Sequence, residues 1–139
     1  EKGDLFDRVY CVFDKDTHGT YEETLSRISS VEPKNTFFAI TSIPCFEYWL
    51  LLHIRYTTKP YSPTGRSSVC RTVLRELQKE LPDYKKNSHG IFLQLLPSLE
   101  YAKANAVMSL KHAKSNYTDN PTTLVHELID YLQNLNASS

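Results

Sequence analysis

The stretch Val9-Tyr-Cys-Val-Phe-Asp-Lys-Asp-Thr-His18 decides the reading of this chain. A short apolar run rich in β-branched and aromatic residues ends in two aspartates one residue apart, with a histidine close behind. Such a run reads as a buried strand, which puts Asp14 and Asp16 at its carboxyl end. Residues i and i+2 of an extended segment point to the same side, so the two carboxylates are expected to converge. Hard oxygen ligands at the C-terminal edge of a parallel sheet suit Mg²⁺. Two carboxylates left unpaired there repel each other, which calls for a cation or a basic partner. The competing reading is a pair of solvated loop charges.

Working outward, the first third reads β-α-β. Arg8 to Phe13 is the first strand, and residues 16–20 form a polar loop with Gly19. Thr20 to about Val31 reads as a helix, with Thr20 as N-cap and Glu22 and Glu23 in the first turn, where the helix dipole favours negative charge. Thr36 to Thr41 is a second buried strand. A crossover of this length containing a helix predicts parallel pairing of the two strands.

Beyond Ser42 the pattern turns helical. Pro44 ends the strand, and Cys45 to Ile54 is a short apolar helix. Ser67 to Leu81 is amphipathic through Val69, Val73, Leu74 and Leu77. Ile91 to Leu96 and Ser98 to about Lys114 are two more helices. Asn120-Pro121 reads as the start of the last helix, a capping residue followed by proline at the first helical position. The expected fold class is α/β, a parallel β-α-β core followed by a helix-rich C-terminal half, in one domain over residues 1–139.

The composition narrows the function classes. Formal net charge is zero over 139 residues, so no overall field draws the chain to nucleic acid or an anionic membrane, and such binding has to come from a local patch. No apolar run approaches the length of a membrane span. Three cysteines, Cys11, Cys45 and Cys70, lack metal-type spacing and read as reduced thiols of a cytoplasmic protein. The chain opens on Glu1-Lys-Gly-Asp, polar and turn-like, and enters a strand at once. This abrupt start is expected of a chain truncated at its N-terminus.

A second constellation is Ser42-Ile-Pro-Cys-Phe-Glu-Tyr-Trp-Leu-Leu-Leu-His53. It follows the second strand, so its start falls beside the aspartates if the strands are neighbours. On a helix Phe46, Trp49, Leu50 and His53 share one face. Glu47 is the odd residue, a carboxylate in an apolar segment: either a complement to the helix dipole, or a third acidic ligand or general base. His53 is either a hydrogen-bonded core histidine or a catalytic group. Ser42 is placed to contact a phosphate or to cap the helix. His18 is a ligand, a phosphate contact or a merely exposed side chain. Arg66, Arg71, Arg75 and Lys79, interleaved with Glu76 and Glu80, read as a solvated helix face. Lys85 and Lys86, after Tyr84, are the better candidates for contacts to a nucleic-acid backbone.

These blocks together resemble the RloB-like family of small prokaryotic proteins associated with restriction and phage-defence loci. The resemblance rests on V-F-D-K-D-T-H (Val12 to His18) and on the block from Ser42 to His53. It extends through L-P-D-Y-K-K (Leu81 to Lys86), the alanine-bearing helix around Ala102 to Ala106, and N-P-T-T-L-V-H-E-L (Asn120 to Leu128). It implies a divergent Toprim-type domain. There an acidic D-x-D motif, matched by Asp14 and Asp16, binds Mg²⁺ (or Mn²⁺) and supports phosphodiester cleavage or transfer. Glu47 and His53 match positions characteristic of the RloB-like block and complete the catalytic set Asp14, Asp16, Glu47 and His53, with Asp14, Asp16 and Glu47 as metal ligands. Lys85, Lys86 and His18 would contact nucleic acid. Toprim domains also use a glutamate on an earlier strand in an E-G turn, and no residue of this chain matches it.

The expected function is a Mg²⁺-dependent nuclease or related phosphoryl-transfer effector in prokaryotic anti-phage (abortive infection) defence. One alternative is a catalytically vestigial interaction subunit of an associated ATPase. Another is a haloacid-dehalogenase-type phosphatase, with Thr41 as the phosphate-binding hydroxyl. Against the latter, Asp16 is followed by Thr-His-Gly rather than a tight Gly-Thr turn.

Overall fold

The computed structural model describes residues 6–135; the opening turn expected at Glu1 to Asp4 lies outside them. The chain is a mixed α/β domain with a three-stranded sheet in the order β1 (Val9–Asp14), β2 (Phe37–Ile43), β3 (Thr122–Thr123). β1 and β2 pair in parallel from Val9 opposite Phe37 to Asp14 opposite Ser42, and α1 (Tyr21–Ser29) makes the crossover. The expected β-α-β unit is present. Thr20 precedes α1 as expected, but its hydroxyl makes no capping hydrogen bond.

The helices follow from the same residues that suggested them. α2 (Glu47–Leu51) is buried on every side and forms the centre of the core with Cys45 and Leu52. α3 (Val69–Glu80) opens on Ser68, whose hydroxyl accepts from the Arg71 amide at 3.2 Å, and buries Val69, Val73 and Leu77, one face at i, i+4, i+8. Its charged side, with Arg71, Arg75, Lys79 and Glu80, is exposed. α4 (Ile91–Leu95) is a short apolar helix ending in a tight turn at Leu96–Ser98.

α5 (Leu99–Ser115) buries small side chains, Ala102, Asn105, Ala106, Ser109 and Ala113. Such residues let a helix approach its neighbour closely, and the two polar ones are fully used. Asn105 Nδ2 donates to the Leu52 carbonyl at 2.8 Å, one of the carbonyls left unpaired at the end of α2. Ser109 Oγ accepts from the Tyr48 hydroxyl at 2.8 Å and donates to the Pro121 carbonyl at 2.9 Å.

The start of the last helix corrects the sequence reading. Asn120 does not cap it and Pro121 is not its first residue. Thr122 and Thr123 instead form β3, antiparallel to Ile43 and Ser42, and α6 (Val125–Gln133) begins two residues later. The Asn120 side chain is occupied elsewhere, bridging the backbone of Tyr61 with bonds of 3.2 and 2.7 Å. Thr123 Oγ1 accepts from the Val125 amide at 3.2 Å. A distant strand edge offered better partners to this backbone than a helical turn did, a choice no local rule contains. Among the described residues no helix is long and apolar enough to cross a membrane.

Candidate functional site

The parallel register carries the carboxyl end of β1 to the point where the chain leaves β2 for α2. Pairing continues past Asp14: the Lys15 amide donates to the Ser42 carbonyl at 3.1 Å and the Asp16 amide to the Pro44 carbonyl at 2.9 Å. The Phe46 amide then donates to Asp14 Oδ1 at 2.9 Å. The first carboxylate of the D-x-D run is thus bonded to the residue preceding Glu47, although 32 positions separate them.

Asp14 and Glu47 line one cavity of about 350 Å³, closed on the far side by Tyr84, Lys86, Asn87 and Ser88. Glu47 is 3% exposed. Its Oε1 accepts from the Tyr84 hydroxyl at 3.4 Å and lies 3.9 Å from Lys86 Nζ. Its Oε2 is buried without a hydrogen-bond partner. A buried carboxylate oxygen with no donor is costly. Burial first, then the charge of Glu47, raise the Asp14 carboxyl above its ordinary value; the Phe46 amide and Lys86 oppose this. Burial and the adjacent Glu47 push the Tyr84 hydroxyl up to about 12, so it stays a hydrogen-bond donor at neutral pH.

Asp16 does not continue the strand. Its φ is +44°, in the left-handed region that aspartate tolerates better than most residues, so the expected i, i+2 convergence along an extended segment is replaced by a turn. It still acts on Asp14 through its charge, and its Oδ1 is buried without a partner, but it does not line the Asp14–Glu47 cavity. Lys15 turns away to Asp119 at 2.6 Å. His18 lines a second cavity, of about 460 Å³, on the α1 side of Asp14. Asp14 is the wall between the two.

Other expected residues fall elsewhere. His53 is buried just beyond the end of α2. There its Nδ1 meets the Trp49 carbonyl at 3.0 Å and its ring packs edge-on to Trp49 at 4.7 Å; burial lowers its pKa. It lines an apolar cavity of about 120 Å³ with Phe46, Trp49 and Leu50, the face expected for this helix, and is not brought to the carboxylates. Ser42 neither caps α2 nor faces a cavity; its hydroxyl bonds Thr123 at 2.8 Å inside the sheet. Thr41 is buried in β2, with its carbonyl accepting from Leu124. Lys85 is exposed and does not line the acidic cavity. Sequence reasoning missed Tyr84 as a partner of Glu47; an aromatic residue directly before a basic pair in a polar loop was the signal.

Residues 1–132 match the family model described as RloB-like protein. The chain belongs to the RloB-like family. No curated protein and no solved structure matches it. Within this RloB-like chain, no three His, Cys, Asp or Glu side chains among the described residues are grouped to hold a metal ion. The donor set nevertheless suits Mg²⁺, which keeps several waters and is commonly held by one or two carboxylates. Asp14 and Glu47 supply these from two elements, and the unpartnered Glu47 Oε2 is the oxygen that needs such a partner.

Proposed function

We propose that this RloB-like chain carries the acidic site of a Toprim-like, Mg²⁺- or Mn²⁺-dependent enzyme that cleaves or transfers phosphodiesters of nucleic acid in anti-phage defence. The observation that carries the reading is the convergence of Asp14 and the buried Glu47 at the carboxyl end of a parallel strand pair, with one Glu47 oxygen unpartnered. Neutral, buried, hydrogen-bonded partners would suffice for packing alone; two carboxylates in one cavity repel unless a cation or a proton lies between them, and such perturbed groups cluster at functional sites.

Asp14 and Glu47 would hold the ion. When bound, it supplies charge stabilisation at phosphoryl oxygens and activation of water. The chain's own residues prepare the site. The Phe46 amide fixes Asp14 Oδ1, and Tyr84 fixes Glu47 Oε1. Lys86, 63% exposed at the rim, offers an ammonium to a phosphate of the backbone. Asp16, through its charge, adds to the negative potential around Asp14.

The test is a calorimetric titration with Mn²⁺ of the native chain, Asp14→Asn and Glu47→Gln, with circular dichroism on each. The native chain is expected to bind, and each variant to lose about tenfold or more in affinity with an unchanged spectrum. Equal affinity in all three overturns the reading. Incubation with single- and double-stranded DNA and RNA then identifies the substrate.

A second reading, an interaction subunit serving an ATPase, is favoured by one observation. α4 and the turn after it expose Phe92, Leu93 and Leu96, at 63%, 71% and 43%, more apolar surface than a solvated helix needs.

A further inference from the structure

Lys86 stands where a second role follows from charge alone. Its Nζ is the one cation within 4 Å of Glu47 among the described ion pairs, at 3.9 Å, too far for a hydrogen bond, and it also acts favourably on Asp14. Glu47 is almost wholly buried, while the Lys86 side chain is 63% exposed and comes from a loop. That loop is pinned without it: the Ser88 amide donates to the Lys85 carbonyl at 3.0 Å, the Lys85 amide to Ser88 Oγ at 2.8 Å, and Gln78 Nε2 to the Tyr84 carbonyl at 2.9 Å. The ammonium can therefore leave Glu47 by side-chain rotation, with the loop unchanged. Two carboxylates and one ammonium share the cavity, and a divalent ion entering it would meet like charge at its rim.

We propose that Lys86 is a displaceable internal counter-ion: it offsets part of the negative charge of Glu47 and Asp14 in the metal-free site, gives way to the divalent ion, and on release takes up a phosphate of the nucleic acid. This rests on the acidic-site reading above and adds its regulation. Metal and nucleic acid then load together, because the ion frees the lysine that the phosphate needs. An exposed cation held at a distance is displaced at little cost, so the device is a modest bias and not a block.

The signature is a pair of effects of opposite sign from one substitution. Lys86→Met keeps the aliphatic stem and removes the charge. Calorimetry with Mn²⁺ alone is expected to show affinity about two- to fivefold higher than in the native chain. Binding of a short single-stranded oligonucleotide is expected to be weakened by a similar factor when measured by fluorescence anisotropy in Ca²⁺. Lys85→Met, at a neighbouring exposed lysine that does not line the cavity, is the control and should leave Mn²⁺ affinity unchanged. A structural defect would weaken both ligands together. Mn²⁺ affinity that is unchanged or lower in Lys86→Met overturns the counter-ion role while leaving the acidic site standing. Mn²⁺ binding in Lys86→Met and none in the native chain supports it in its strongest form. Absence of binding in both ends the proposal together with the reading beneath it.

Discussion

The two cavities beside α2 share Phe46, Leu50 and Ile91 as walls and otherwise have opposite chemistry. The larger, about 350 Å³, is ringed by Asp14, Glu47, Tyr84 and Lys86; the smaller, about 120 Å³, is closed by Trp49, His53 and the leucines of α4 and α5. In the apolar cavity the one titratable group has its pKa lowered by burial and is bonded to a backbone carbonyl. In the acidic cavity two carboxylates share the lining, the charge of one raises the pKa of the other, and one oxygen has no partner. Phe46, Leu50 and Ile91 therefore separate a region whose apolar burial favours folding from one that holds a buried carboxylate oxygen without a partner. Substitutions on the two sides should behave differently, and the comparison breaks if they do not.

The largest expected effect lies on the apolar side. Trp49 is 3% exposed, and Trp49→Ala should cost about 3–5 kcal/mol in urea unfolding, the usual range for emptying a core aromatic site. A loss below about 1 kcal/mol would mean that the cavity beside it already leaves this region loosely packed.

Smaller effects come from pH, and their signs differ between the cavities. Burial lowers the pKa of His53 from 6.5. The folded state thus favours neutral imidazole, and its contribution is full above 6.5 and is lost as pH falls through the lowered value. For Asp14 the pKa is raised from 3.8. Its contribution is full below 3.8 and is lost as pH rises through the raised value. Measured against His53→Gln, the native chain should lose stability as pH falls from 6.5; measured against Asp14→Asn, it should lose stability as pH rises from 3.8. Saturating Mn²⁺ should remove the second trend and leave the first. Trends of the same sign, or indifference of the Asp14 trend to Mn²⁺, would break the contrast.

The smallest effect sharpens it. Glu47→Gln keeps the shape of a buried side chain and removes its charge, so the melting temperature of the metal-free chain should stay level or rise. A clear fall would show that Lys86 and Tyr84 already compensate the carboxylate fully.

Much of the fold was legible in local pattern. The apolar runs from Arg8 to Phe13 and from Thr36 to Thr41 appear as β1 and β2 with the expected parallel pairing, shifted by one or two residues. The apolar periodicity of α3 located it closely, because residues at that spacing reach one buried face only when the backbone is helical, and the alanine-rich composition located α5. Phe46, Trp49, Leu50 and His53 do share one face. The Asn120-Pro121 signal failed because a capping motif states only what a local helix would prefer, whereas Thr122 and Thr123 found a strand edge some 80 residues away. The Asp14–Asp16 spacing keeps the two charges near each other, but period-two alternation holds only while the chain stays extended, and the chain turns at Asp16.

The sequence by itself determined the α/β class, the β-α-β unit, the family, and Asp14, Asp16 and Glu47 as the carboxylates worth watching. Hydrophobic spacing and residue type carry that information along the chain. Only the tertiary structure decided that Asp14 and Glu47 line one cavity that neither Asp16 nor His53 lines, and that Tyr84 and Lys86 complete it. Those choices depend on strand register, on the direction in which α2 leaves β2, and on which loop closes over it. Each is settled by packing and hydrogen bonding between segments far apart in sequence, where local propensity has no voice.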